Sequence, residues 1–246
     1  MKQLYGLVGR KLGHSFSPRY FAEKFRNEGI DAEFRNFELP TIGELPKMLA
    51  DNPNLRGFNV TIPYKEEIMP LLDDIAPEAR RIGAVNCVKI DNGKLTGYNT
   101  DIYGFRKSLL NLIGDERPDA LVFGTGGAAK AVWYVLDELG ISFRKVSRSR
   151  ANGDLTYDDL AAEPNTVTIS KLLVNSTPLG TFPDVDASPD IPYSAITPAH
   201  FMFDLVYNPE QTLFMKKGQA QGAHTSNGYE MLIGQAEKGW EIWTRD

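Results

Sequence analysis

The chain has 246 residues, 42% of them hydrophobic and 24% charged, an ordinary globular composition that argues against disorder and against a membrane class. A formal net charge of -5 and a pI near 5.4 supply no basic surface of the kind that nucleic-acid binding needs, so neither nucleic acid nor membrane is expected as a partner. The length admits one large domain or two smaller ones, since domains most often run to roughly 100–150 residues.

The N-terminus "MKQLYGLVGRKLGHS" lacks a long apolar core followed by a small-residue cleavage site, which gives a cytoplasmic expectation. From there, short apolar runs alternate with helical patterns. "LYGLVG" (4–9) reads as a strand, "SPRYFAEKFRNEG" (17–29) as a helix and "AEFRNFEL" (32–39) as a second strand. A helix over 42–51, a strand over 56–62 and a short helix over about 65–72 continue the series, and this alternation predicts a mainly parallel sheet covered by helices. Strands at 84–90 and 94–99 flank Asp91, Asn92 and Gly93, a hairpin signal that predicts an antiparallel edge. The one cysteine, Cys87, cannot make an internal disulfide, and His14, His200 and His224 are too scattered for a metal cluster, so no metal is expected.

After the helix "DIYGFRKSLLNLIG", the polar stretch "GDERPD" (114–119) suits a domain junction. A second series follows, with strands at 120–124, 143–148, 172–177 and 201–207. Its clearest helix is 128–140, where Val132, Trp133, Val135, Leu136 and Leu139 share a face. The C-terminal "YEMLIGQAEKGWEIWT" reads as an amphipathic helix that returns to the first half. The expected architecture is therefore α/β. Residues 1–101, completed by helices at about 228–246, form one domain, and 102–227 form a Rossmann-like domain, with a cleft between the two.

"VFGTGGAAKAV" places Gly124, Gly126 and Ala129 as G-x-G-x-x-A between a strand and a helix. The first glycine permits a tight turn, the second lets backbone N–H groups approach a pyrophosphate, and the small third residue lets helix and strand pack closely. About 20 residues on, where an acid normally binds the ribose of NAD, the sequence reads Ser147, Arg148, Ser149, Arg150. Two guanidiniums without an acid suit the extra phosphate of NADP.

In the first half, "HSFSP", "NVTIPYK", "GAVN" and "GYNTD" fall at predicted element ends, where open α/β sheets bind ligands. Ser15 and Ser17 offer hydroxyls to a carboxylate, Asn59, Thr61 and Asn86 suit ligand hydroxyls, and Lys65 and Asp101 suit an acid–base pair. Together the set fits a small polyol acid. A lysine in a first helical turn opposes the macrodipole, which favours acids there. Ser17 before Pro18 and Asp101 before "IYGF" also read as ordinary N-caps.

These motifs resemble the shikimate dehydrogenase family over nearly the whole chain. The likeness rests on "GHSFSP" (13–18), "GFNVTIPYK" (57–65), "GAVN" (83–86), "GYNTD" (97–101), "GTGGAAKA" (124–131), "NSTPLG" (175–180), "DLVYNP" (204–209) and "GYEMLIGQ" (228–235). The resemblance implies reversible NADPH-dependent reduction of 3-dehydroshikimate to shikimate, in the route to aromatic amino acids, by a monomer or homodimer. It implies that Ser15 and Ser17 hold the substrate carboxylate, and that Asn59, Thr61, Asn86, Tyr207 and Gln235 surround the ring, with Lys65 and Asp101 as the catalytic dyad. For NADP(H) it implies Gly124, Thr125, Gly126, Gly127 and Ala128 in the pyrophosphate loop, Ser147, Arg148, Ser149 and Arg150 at the 2′-phosphate, and further positions at Thr177 and Gly228.

Departures from the family pattern fall at Phe21 and Ala22, where a His-Asn pair is usual, at Cys87 for threonine, at Ser147 and Ser149 in the NADP loop, and at Thr181 for methionine. A quinate-preferring paralogue and a non-catalytic sensor of shikimate and NADP are the alternative readings. Paired Ser15 and Ser17 favour shikimate over quinate. Retention of Lys65 and Asp101 argues against a sensor, which needs no proton donor.

Overall fold

Two six-stranded sheets carry the fold, each within its own unit: Met1–Thr100 with Ala236–Asp246, and Asp101–Gln235. The computed structural model describes residues 2–13 and 15–245; His14 of the "GHSFSP" motif lies outside them.

The first unit runs β1 (Gln3–Gly9), α1 (Phe16–Glu28), β2 (Ala32–Glu38), α2 (Leu45–Asp51), β3 (Leu55–Val60), α3 (Tyr64–Glu67), β4 (Asp74–Ile75), α4 (Pro77–Ile82), β5 (Cys87–Asp91) and β6 (Lys94–Tyr98). β1 lies between β2 and β3 with both pairings parallel, and six of its seven residues are buried, as the unbroken apolar run requires. Ser15, with extended backbone (ψ 136°), is the N-cap of α1, so Ser17 falls inside the first turn and not at the cap; the helix stops at Gly29 (φ +66°).

The predicted hairpin forms β5 and β6, with Asn92 (φ +49°) and Gly93 (φ +81°) at the two turn positions that need positive φ. It is not the edge of the sheet, because β4 pairs in parallel outside β6. The helix expected over 65–72 is instead the single turn α3 followed by a 3-10 turn at Met69–Leu71. Pro70 explains the break, since it has no N–H for the carbonyl of Glu66.

The second unit runs α5 (Asp101–Ile113), β7 (Ala120–Phe123), α6 (Gly127–Glu138), β8 (Phe143–Ser147), β9 (Leu155–Thr156), α7 (Tyr157–Ala162), α8 (Asn165–Ile169), β10 (Leu172–Asn175), β11 (Phe201–Asp204), α9 (Leu213–Gln219) and β12 (His224–Ser226). α10 (Tyr229–Thr244) begins in this unit and ends in the first, where the unit boundary cuts it between Gln235 and Ala236. The sheet order is β12-β11-β10-β7-β8-β9, parallel throughout. This is the doubly wound order 3-2-1-4-5-6 with β7 as its first strand, and its topological switch point lies between β7 and β10.

Strands predicted to reach Thr177 and Tyr207 stop at Asn175 and Asp204. In each case the side chain accepts a hydrogen bond from the backbone N–H two residues on, at 3.1 Å from Thr177 and 3.0 Å from Val206, which turns the chain out of the ladder. The core of the second unit gathers Leu121, Phe123, Val146, Leu173, Met202 and Phe214. In the first unit, Phe58, Val60, Tyr64 and Ile68 pack one side of the sheet, while Tyr5, Phe21, Phe25 and Trp243 form an aromatic cluster on α1 and the end of α10.

Candidate active site

In the first unit the carboxyl end of β3 gathers the predicted polar residues. Asn59 is the penultimate residue of β3 and is buried, and its Nδ2 donates to the backbone oxygen of Asn86 at 3.2 Å. The same oxygen accepts from the Val60 amide at 2.8 Å, so the segment before β5 is stitched to the end of β3. Asn86 is itself fixed: its Oδ1 accepts from the Thr100 amide at 2.6 Å, and its Nδ2 donates to the Thr100 hydroxyl at 3.1 Å. Among the described residues Asn59 Oδ1 is buried with no hydrogen-bond partner, which leaves an acceptor open to a ligand donor.

Thr61 continues from β3, and its amide donates to the carbonyl of Val8 at 2.9 Å. Lys65, half-buried in α3, offers its backbone oxygen to the Val85 amide at 2.7 Å, which ties it to the "GAVN" segment. With α3 only four residues long, little macrodipole opposes the lysine. Ser15 donates its hydroxyl proton to the carbonyl of Leu12 at 2.7 Å, and Ser17 is buried in the first turn of α1. Thus Asn59, Thr61, Lys65 and Asn86 share one end of one sheet, while Asp101, Tyr207 and Gln235 belong to the second unit.

Asp101 is the first residue of α5 and is buried. Tyr207 is half-buried, and burial pushes its hydroxyl above the usual tyrosine range. Gln235 is buried, and its Nε2 donates to the Leu232 carbonyl of its own helix at 3.0 Å.

The second unit presents its glycine loop at the switch point. Gly124 has φ +98°, a conformation that side-chain-bearing residues rarely adopt, and a Cβ there would stand 2.9 Å from Thr177 Cγ2. A Cβ on Gly126 would meet nothing within 4 Å, so the second glycine faces open space. Gly126 is also the N-cap of α6, and no side chain caps that helix start. Thr125, Gly127 and Ala128 lie half-buried beside it, with Ala129 fully buried against the sheet. Free first-turn N–H groups beside an uncovered glycine fit the pyrophosphate of a dinucleotide.

Beyond β8, Ser147 is buried and its hydroxyl accepts from the Ser149 amide at 3.2 Å, which shapes the loop. The two arginines differ. Arg150 is paired with Asp159 at 2.7 Å, whereas Arg148 is exposed and makes no ion pair among the described residues. Arg148 is therefore the guanidinium that fits a 2′-phosphate. Gly228 has a packing reason of its own, since a Cβ there would fall 2.1 Å from the Leu205 carbonyl oxygen.

Thr100, Asn175 and Asp204 are among the buried polar residues that were not singled out in the sequence. Thr100 sits inside the quoted "GYNTD" motif and orients Asn86, while Asn175 and Asp204 open the quoted "NSTPLG" and "DLVYNP" motifs. Their signal was present, but a buried role cannot be told from a surface turn without the fold. Among the described residues no group of three or more His, Cys, Asp or Glu is placed to hold a metal, and no helix is long and apolar enough to cross a membrane.

A doubly wound parallel sheet with a glycine loop at its switch point, preceded by an α/β unit with clustered amides, is the architecture of dinucleotide-dependent oxidoreductases. The family model described as "Shikimate dehydrogenase substrate binding domain" matches residues 7–88. Shikimate dehydrogenase (NADP(+)) of Clostridium beijerinckii is 39% identical over 251 residues, covering 98% of this chain and 92% of that protein. The crystal structure of shikimate 5-dehydrogenase from Thermus thermophilus in complex with NADP(H) and shikimate is 32% identical, with a TM-score of 0.86 over 98% of this chain and 93% of that one. Quinate dehydrogenase from Corynebacterium glutamicum in complex with NAD is 28% identical, with a TM-score of 0.87 over 99% and 94%. The chain belongs to the shikimate dehydrogenase family.

Proposed function

We propose that the protein catalyses the reversible, NADP(H)-dependent reduction of 3-dehydroshikimate to shikimate, a step toward aromatic amino acids. The observation that carries this reading is the buried cluster at the end of β3, where Asn59 and Asn86 are locked beside Lys65 and the acceptor Asn59 Oδ1 is left for a ligand hydroxyl.

NADPH, when bound, supplies the hydride that the ketone carbon takes. Gly124, Thr125, Gly126, Gly127 and Ala128 would hold its pyrophosphate, and Arg148 would pair with its 2′-phosphate; an exposed guanidinium there would favour NADP over NAD. Thr177 flanks the glycine loop.

Ser15 and Ser17 bind the substrate carboxylate. A hydroxyl has one proton, so Ser15 exchanges its bond to the Leu12 carbonyl for one to the substrate. Asn59, Thr61 and Asn86 hold the ring hydroxyls, and the family resemblance adds Tyr207 and Gln235 to the residues that contact the substrate. Lys65 donates a proton to the oxygen on which negative charge develops, and in the reverse direction it takes that proton back. Asp101 orients the lysine ammonium. General-acid assistance of this kind is worth roughly 10²–10⁴ in rate. We place the protein in the cytoplasm, acting as a monomer or homodimer.

Nicotinamide absorbance with purified protein tests the reading, with shikimate and quinate offered against NADP⁺ and NAD⁺. Fast turnover of shikimate with NADP⁺, lost in Lys65→Ala, is the expected result. Turnover of quinate with NAD⁺ in preference would overturn both the substrate and the cofactor assignment.

A further inference from the structure

Asp204 ends β11 with its carboxyl group fully buried, and among the described residues it makes no ion pair. Three neutral donors serve it: the Thr212 hydroxyl at 2.6 Å on Oδ2, and Asn175 Nδ2 at 2.9 Å and the Val206 amide at 3.0 Å on Oδ1. Burial pushes this carboxyl up to about 6, and the three donors only partly offset it. An acid in such a place costs stability that an apolar residue would not.

What the carboxyl group does is read on Asn175. The amide has its donor end turned toward Asp204 and its acceptor end toward Thr177, where Oδ1 accepts from the backbone N–H at 3.1 Å and from the hydroxyl at 2.6 Å. The Asp204 carboxylate is the nearer acceptor for Nδ2, which also reaches the Leu179 carbonyl at 3.4 Å, and so it supports this orientation. Without it the amide loses its shorter donor bond, and a flipped amide would set its NH₂ against the Thr177 N–H. Thr177 is the residue against Gly124, with its Cγ2 where a Cβ of that glycine would clash. Next to it, Ser176 donates through its amide (2.9 Å) and its hydroxyl (2.6 Å) to the carbonyl of Phe123, the last residue of β7. The chain of contacts therefore runs from the interior to the first glycine of the dinucleotide loop.

We infer that Asp204 is a positioning residue for the nicotinamide dinucleotide: through Asn175 it holds the 175–177 turn beneath Gly124, and so fixes the loop that binds NADP(H). This inference rests on the cofactor reading above. The experiment measures binding without turnover, as dissociation constants of NADP⁺ and of shikimate by calorimetry on the full chain, with the thermal midpoint recorded alongside. In Asp204→Ala the NADP⁺ constant rises about tenfold or more, which is the loss of one buried, oriented hydrogen bond, while the shikimate constant stays within about twofold. Asp204→Asn keeps an oxygen for Asn175 and restores NADP⁺ affinity to within about threefold, a rescue that a purely stabilising role does not give. Thr212→Val removes the opposite partner and lowers the midpoint with NADP⁺ affinity unchanged. Should Asp204→Ala not fold, Asn175→Ser cuts the link to Thr177 and leaves Asp204 two of its donors. Either folded variant binding NADP⁺ as wild type does, or losing both ligands in parallel, overturns the inference. Wild type unable to bind NADP⁺ overturns the cofactor reading and this inference with it.

Discussion

Lys65, Arg148 and Asp204 illustrate three ways in which a single residue's surroundings set what it does. Lys65 sits in a four-residue turn and is anchored through its own backbone oxygen to Val85, so its ammonium is carried by a fixed point. Replacement by alanine removes the proton donor and leaves that backbone bond. Turnover should fall by roughly 10²–10⁴ with the shikimate dissociation constant nearly unchanged, and a mutant that keeps wild-type kcat excludes Lys65 as the donor. Arg148 is exposed and pairs with no acid among the described residues, whereas Arg150 is engaged by Asp159. Arg148→Ala should therefore raise KM for NADP⁺ by about 10- to 100-fold, the worth of charge-assisted bonds to a phosphate, and leave any turnover with NAD⁺ as it was. Equal loss with both cofactors would place the 2′-phosphate elsewhere.

Asp204 makes a prediction about stability. Its folded-state value of about 6 lies above the ordinary 3.8, so the folded protein holds this proton more tightly than the unfolded chain. The stability it contributes is complete below about pH 4 and declines by roughly 3 kcal/mol as pH rises through 6. Asp204→Asn does not titrate, so the mutant should gain on wild type in urea melts between pH 4 and 7, and parallel stability curves would contradict the raised value. His200 acts in the opposite sense. Burial holds its imidazole below the usual range, so its contribution is present at neutral pH and is lost on acidification below about 6.5.

At the scale of elements, local chemistry decided where strands end and where the helix α3 stops. The G-x-G-x-x-A pattern, the Asn-Gly turn and the apolar run of β1 each carry their structural reason within a few residues, and all three are readable from the sequence. α3 is shorter than its pattern suggests because the helical tendency of 65–72 yields to Pro70. The brief elements β4, α4, β9, α7 and α8 have too few residues to set a periodicity. One of them carries a clear local device: Thr156 caps α7 through a reciprocal box with Asp159, so Thr156→Ala should cost about 1 kcal/mol in chemical denaturation. The end of α10 is held differently. Trp243 covers Gly57 so closely that a Cβ there would lie 2.3 Å from the ring, and its Nε1 donates to the Val88 carbonyl at 3.0 Å. Trp243→Ala empties this site and should destabilise the first unit by about 3–5 kcal/mol, a loss visible as a lower denaturant midpoint.

At the scale of the whole molecule, the proposed function assigns the two ligands to different sheets. The buried amides of Asn59 and Asn86 lie at the end of β3, and the glycine loop lies at the switch point between β7 and β10. Hydrogen exchange tests this division. NADP⁺ should protect amides at 124–128, 147–150 and 175–177, and shikimate those at 59–65 and 84–86; protection of the first unit alone by NADP⁺ would contradict it. The motifs alone determined the family, the α/β alternation, the glycine loop and the polar clusters, because each depends on residue types at short spacing. Tertiary structure decided what spacing cannot carry: that Asn86 is locked by Thr100, that Arg150 is held by Asp159 while Arg148 stays exposed, and that Asn175 bridges Asp204 and Thr177. Those outcomes depend on which side chains meet across 14, 9 or 29 positions of chain, and only the packed sheets bring them within hydrogen-bonding distance.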